Sequence, residues 1–243
     1  MMQTDNRVIR ADSWLQKQLS WSSGQIDIIK VVALLLMLLD HANRVLHFDI
    51  TGLMLVGRGA FPLFGLVWAY NLCRHPTLRQ SSLNTLWVWA LLSQLSYVLA
   101  GEPWWQGNIL FAFAVTGQAL SLFERGTRKS LTLAVLLVVA WLPFSATSYG
   151  IAGVFMLINS HRLFRATTPS ERLGYAMLWA FMVLLLNADV SPIAAVAGLV
   201  VPGVTLSLVS QYPVRFGRFL PAHFFVLFYA LHLAVLGILA SEL

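Results

Sequence analysis

Three basic residues fall inside segments that are otherwise built like membrane-crossing helices: Lys30, Arg44 and Arg58. Two of them share one segment, which reads Asp27-Ile-Ile-Lys30, then an apolar run from Val31 to Leu39, then Asp40-His41-Ala-Asn-Arg44. At about 100° per residue, the steps from Lys30 to His41 make three helical turns plus about 20°, so the two side chains share a face about 16 Å apart along the axis. Asp27 and Arg44 lie within roughly 60° of that face, and Asp40 about a quarter-turn from His41. Such a helix carries a cation near one end and an imidazole near the other. The first suits an anionic ligand and the second suits proton transfer. Ionisable groups at this depth are costly unless they face a protein interior or a wet cavity. The plainer alternative is that Lys30 snorkels to lipid headgroups while His41 only hydrogen-bonds within the bundle.

Other polar residues fall at the depth of His41. Arg58 opens the run Arg58-Gly-Ala-Phe-Pro62, Asn108 stands before Ile-Leu-Phe, and Tyr149 stands before Gly150. Each has an ordinary reading alone: Arg58 as an interface anchor, Asn108 as a helix cap, Tyr149 as part of an aromatic belt. The convergence of His41, Arg44 and Arg58 on one level is harder to treat as ordinary. Tyr229 and His232 sit near the middle of the last apolar run. No two histidines have the i,i+3 or i,i+4 spacing of a helical metal site, and Cys73 is the only cysteine, so no metal is expected. There is no glycine-rich phosphate loop and no Gly-x-Ser-x-Gly elbow.

The elements that must position these residues follow from composition. Of the 243 residues 58% are hydrophobic and only 11% charged, against roughly 25% charged in soluble domains. Apolar runs occupy about 26–48, 53–73, 84–100, 107–123, 130–147, 149–164, 172–188, 191–210 and 222–240. Each is close to the length that crosses a hydrocarbon core. The expected fold is an all-α integral membrane protein, a polytopic bundle of about nine transmembrane helices. A polar tail over 1–25 precedes a transmembrane domain over 26–243. The first run is too long for a signal-peptide core and is read as a retained helix.

Charge sets the orientation. Arg7, Arg10, Lys17, Arg74, Arg79, Arg125, Arg128, Lys129, Arg162, Arg165, Arg172, Arg215 and Arg218 all fall in the tail or in alternate loops, while the loops near 101–106, 145–148 and 188–190 hold no Lys or Arg. Positive loops stay inside, so the tail is expected on the cytoplasmic side and the carboxyl terminus on the outer side. The formal charge of +6 is thus a topological signal, and no nucleic-acid partner is expected.

The run Ile28-Ile29-Lys30 to Asp40-His41 resembles the first helix of the TraX family, the F-pilin acetylases of conjugative plasmids. So do Gly57-Arg58-Gly-Ala-Phe-Pro62-Leu-Phe64, Gly107-Asn108-Ile-Leu-Phe111, Thr147-Ser-Tyr149-Gly150 and Phe228-Tyr229-Ala-Leu-His232-Leu. That family looks like a branch of the membrane acyltransferase superfamily, many members of which have a basic residue, ten intervening residues and a histidine on the first helix. Lys30 and His41 match that spacing, with Lys where Arg is common; the charge is kept and bidentate phosphate binding is lost.

The resemblance implies transfer of an acetyl group from acetyl-CoA to the amino-terminal residue of mature pilin. Lys30, with Asp27 beside it and loop arginines, would hold the phosphates of CoA. His41, oriented by Asp40 or a facing residue, would take a proton from the incoming ammonium of the acceptor, whose ordinary pKa is about 7.7–8.0, and the neutral amine would then attack the thioester. Arg58, with Asn108 or Tyr149, would stabilise the oxyanion, and Arg44, Tyr229 and His232 would support the site. Direct transfer and a transient acetyl-histidine both fit. Two other classes remain open: a proton-coupled transporter using Asp40-His41 and Asp27-Lys30 as relays, and a pilus-assembly scaffold without chemistry. No internal repeat supports the transporter.

Overall fold

Helix boundaries follow local chemistry. In the computed structural model, which describes residues 6–212, 216–221 and 223–242, every regular element among the described residues is helical. Arg215 and Ala222, counted above in a loop and an apolar run, lie outside the described residues, as do residues 1–5 and Leu243. The helices are α1 (Asn6–Leu19), α2 (Ser23–Val45), α3 (Thr51–Gly57), α4 (Ala60–Cys73), α5 (Gln80–Leu99), α6 (Ile109–Glu124), α7 (Arg128–Trp141), α8 (Gly150–Arg165), α9 (Pro169–Ala188), α10 (Pro192–Gln211) and α11 (Phe224–Ser241). Ser22 and Gln25 form a capping box at the start of α2, and Thr168 and Glu171 do the same for α9, each satisfying two otherwise unpaired backbone donors. Pro169 and Pro192 open their helices at positions where a missing N–H does no harm.

Each of the nine apolar runs is occupied by helix, with the second divided into α3 and α4. The division has a local cause. Pro62 has no N–H to offer the carbonyl of Arg58, four residues back, and its ring crowds that carbonyl. The chain tightens there, with Arg58 N–H donating to Leu55 O and Gly59 N–H to Val56 O, so Arg58 sits at the break. Runs five and six meet in two short 3-10 turns (Leu142–Phe144 and Ala146–Ser148), and α7 and α8 diverge by 107° across them.

Thr51–Cys73, α10 and α11 are each long and apolar enough to cross a membrane, and two bent pairs, α1 with α2 and α7 with α8, reach that standard only when taken together. The helices on their own single out three crossings, or five with the bent pairs, so they do not fix the expected count of nine. The polar residues of α2 and the 16-residue length of α6 are what keep those two from qualifying singly. The perimeter is apolar nonetheless: Val196, Val200, Val204 and Leu208 on α10, and Leu227, Leu231, Val235 and Ile238 on α11, are each about half exposed. Stripes of this length at i,i+3 and i,i+4 spacing are foreign to a water-facing surface and suit lipid.

The loops segregate to two ends. At one, the basic end, Tyr70 Oη donates to Trp21 O, Gln25 Nε2 to Val209 O, and Arg165 pairs with Glu124. At the other, Arg44 pairs with Glu102, Tyr97 Oη donates to Thr147 Oγ1 and Ser148 Oγ to Gly107 O. The tail gives an element that its composition did not announce. α1 turns 79° away from α2 and packs on α9 and α10, with Asp12 buried and paired to Arg172 at 2.6 Å.

α5 and α11 meet more closely than side chains allow. A Cβ on Gly237 would overlap the backbone of Leu99 and Ala100. Gly237→Ala should therefore destabilise the bundle by about 1–3 kcal/mol despite alanine's better helix propensity. A lowered thermal midpoint in detergent would register it, and an unchanged or raised midpoint would contradict this packing.

Candidate functional site

α2 packs against α3, α4, α10 and α11, and of its ionisable residues Asp27, Lys30, Asp40 and His41 are buried or partly buried there. At its basic end Lys30 Nζ lies 3.0 Å from Asp27 Oδ1. Asp27 is 1% exposed, and its second oxygen accepts N–H bonds from Phe219 and Leu220, both at 2.9 Å. The carboxylate thus ties α2 to the segment before α11 as well as holding Lys30.

Lys30 faces a cavity of about 680 Å³ that also takes Arg74, His75, Arg79, Arg218 and His223 into its wall. Among the described residues Asp27 is its only acidic lining residue. The guanidiniums of Arg74 and Arg79 have, among the described residues, no hydrogen-bond or ion-pair partner, and that of Arg218 has only the Leu220 carbonyl, 3.1 Å from Nε. Further in, the walls are Trp68, Trp89, Leu110 and Phe113. An anionic head with an apolar arm matches this pattern. Phe64 and Phe225 also line the cavity and pack edge to face, ring centres 4.3 Å apart.

His41 does not line that cavity. One turn along α4 and α11 from Phe64 and Phe225 come Phe61 and Tyr229, and there the second group of residues assembles. His41 Nδ1 lies 2.7 Å from His232 Nε2, with the two rings within 4° of parallel and their centres 5.0 Å apart. At that nitrogen separation the rings lie edge to edge, not face to face. His232 Nδ1 is 2.9 Å from Phe228 O, one turn back on its own helix. Tyr229, 2% exposed, packs its ring edge-on to both imidazoles.

Asp40 does not orient His41. Its Oδ1 accepts from Arg58 Nη2 at 2.8 Å, while Arg58 Nε donates to Met54 O. The quarter-turn between Asp40 and His41 sends them to different neighbours, α3 and α11. Gly57 permits the first contact, since a Cβ there would land on the Asp40 side chain. Arg44 is likewise taken up by Glu102. Each of these two guanidiniums therefore has a carboxylate of its own.

Asn108 and Tyr149 sit differently. Asn108 is fully buried; its Oδ1 caps α6 at Leu110 N–H, and its Nδ2 donates to Ala90 O and Gln94 Oε1. Both of its amide hydrogens are occupied, which leaves none for an oxyanion. Tyr149 adopts a left-handed conformation, φ +66°, which costs a non-glycine residue about 1–2 kcal/mol and lays its ring on Phe61 at 4.5 Å. Its hydroxyl lies in the fields of Arg58, Asp40 and Arg44. Among the described residues no group of three His, Cys, Asp or Glu side chains is placed to hold a metal ion.

Sequence reasoning placed Lys30 and His41 on one face but did not find the pairing of His41 with His232, nor Arg74 and Arg79 as cavity residues. The only advance signal for the first was a histidine in an apolar run. For the second it was a pair of arginines in one short loop.

A family model for the TraX protein matches residues 25–240. Protein TraX of Escherichia coli strain K12 is 53% identical over 236 residues, covering 97% of this chain and 95% of the relative. A second Escherichia coli Protein TraX is 50% identical over the same shares. No solved structure matches. The family match spans every residue of both groups, from Asp27 and Lys30 to His232, and on that match and those identities the chain belongs to the TraX family.

Proposed function

We propose that the chain is a membrane-embedded acetyltransferase that moves an acetyl group from acetyl-CoA to the amino terminus of mature conjugative pilin. In this reading it belongs to the wider membrane acyltransferase superfamily. It crosses the inner membrane about nine times, with its basic end in the cytoplasm. The observation that carries the reading is the cavity in which Arg74 and Arg79 stand without counter-charges beside Lys30, on the helix that also carries His41.

The chemistry follows from where the groups sit. Acetyl-CoA is the acyl donor, a thioester whose phosphates are at one end and whose reactive carbon is at the other. Lys30, Arg74, Arg79 and Arg218 hold the phosphates at the basic end, and the aromatic walls receive the uncharged arm. About 16 Å of α2 separates Lys30 from His41. His41 takes a proton from the acceptor nitrogen as the new amide bond forms. Arg58, fixed by Asp40 at the helix break, supplies positive charge near the developing oxyanion. Asn108 has no part in the chemistry beyond joining α5 to α6.

Two measurements test this. Mature pilin from cells carrying the chain should show an amino-terminal peptide heavier by one acetyl group, and pilin from cells lacking it should not. Purified protein should bind CoA, and Arg74→Gln with Arg79→Gln should weaken that binding about tenfold per guanidinium at low salt, less at high salt. Equal acetylation with and without the chain would end the proposal. CoA affinity indifferent to both substitutions would remove the cavity from it, and absence of CoA binding would favour a carrier.

A further inference from the structure

The contact between the two imidazoles fixes more than their positions. A carbonyl oxygen can only accept, so the 2.9 Å contact of His232 Nδ1 with Phe228 O requires the proton on Nδ1. A neutral imidazole has one N–H, so His232 Nε2 is bare. The 2.7 Å contact then needs its proton from the other side, and His41 Nδ1 supplies it. His41 Nε2 is left with its lone pair. It has no hydrogen-bond partner among the described residues, and the residue is half-buried, so this nitrogen is free to meet a substrate.

From this geometry we infer that His232 is the positioning residue of the reaction, and that His41 and His232 work as one base whose outer nitrogen is His41 Nε2. The inference rests on the acetyltransferase reading and names the device that makes His41 competent within it. The part a carboxylate often plays behind a catalytic histidine falls here to a neutral imidazole anchored on a backbone carbonyl. Neither nearby carboxylate is free for it, because Asp40 holds Arg58 and Glu102 holds Arg44.

The pair also changes character when it gains a proton. As the acceptor nitrogen bonds to the acetyl carbon, it gives a proton to His41 Nε2. The inner proton then moves from His41 Nδ1 to His232 Nε2, which spreads the positive charge over both rings. When the carbon–sulfur bond breaks, His41 Nε2 returns a proton to the departing thiolate and the inner proton moves back. The products are an amide and a thiol, and the two imidazoles end as they began. An acceptor that arrives as ammonium sheds its extra proton to solvent first.

The first test uses the wild-type chain in lipid bilayers, labelled with ¹⁵N-histidine. Nitrogen coupling across an N–H···N bond identifies the only ring-to-ring pair without any substitution. Expected are two rings each protonated at Nδ1 and bare at Nε2; a coupled pair in any other tautomer, or none, overturns the inference. The second test is kinetic. His232→Leu should lower kcat by about 10²-fold while leaving KM for acetyl-CoA within about twofold. His232→Gln, whose amide can accept from His41 and donate to Phe228 O, should recover part of the loss. Wild-type kcat in His232→Leu, a loss confined to KM, or His232→Gln no better than His232→Leu would each overturn it. Wild-type protein with the expected tautomers but no acetyl transfer would instead overturn the acetyltransferase reading.

Discussion

His41→Ala should lower acetyl transfer by about 10²–10⁴-fold, the range for removing a positioned general base, with the protein still folded and CoA still bound. Three features separate this from a stability effect. His41 is half-buried, so truncating it opens no large core cavity. Its one polar partner, His232, keeps its bond to Phe228 O when His41 is gone. The cations that would hold CoA lie at the other end of α2, outside the contacts of His41. The clean result is a fall in kcat at unchanged CoA affinity, read in vesicles with labelled acetyl-CoA and in cells from the mass of the pilin amino terminus. Full acetylation at normal protein level would remove His41 from the chemistry, and with it both the direct and the acetyl-histidine routes.

The second large effect belongs to stability. Asp27 is buried and holds three partners, Lys30 Nζ and the N–H groups of Phe219 and Leu220. Asp27→Ala leaves two backbone donors unpaired and a lysine without its counter-charge. Breaking a buried pair in this way costs about 3–5 kcal/mol. The segment before α11 is tied to α2 through that carboxylate, so it should loosen first. Trypsin cutting after Arg218, which is exposed, reads this out directly. Cleavage should accelerate in Asp27→Ala, the thermal midpoint should fall, and Asp27→Asn should lie between, since its amide oxygen still accepts. Protease resistance equal to wild type would show that the segment is held by other contacts.

The apolar runs were legible because each continuous stretch is bounded by residues that cap or turn, such as Thr168-Pro169 and Ser191-Pro192. α1 was not legible because it has no such stretch, and its docking on α9 depends on an ion pair between residues 160 positions apart. The break at Arg58 was present in the sequence as Pro62, four residues on, but its consequence for Arg58 is a matter of hydrogen-bond geometry. Helical periodicity alone aligned Lys30 with His41 and turned Asp40 away. It carried no information about which helix lies opposite, so the partner of His41 was found only where α2 packs on α11. The positive loops did announce a basic end, though not that the side chains of Arg74 and Arg79 would stand in a cavity wall.

The edge-to-face contact of Phe64 with Phe225 bears on the cell's energetics. Two aqueous compartments at different electrical potential can keep that difference only if no continuous file of water joins them. Phe64 and Phe225 meet edge to face in the wall of the basic cavity, one helical turn short of Phe61 and Tyr229, so in the proposed membrane orientation this contact is where such a file would have to be interrupted. In the proposed reaction the acyl donor must part the same two rings to reach His41, and its own uncharged arm then fills the gap. Current leakage and catalysis would answer to one pair of side chains, and thinning either ring would test the membrane's insulation before it tested the enzyme.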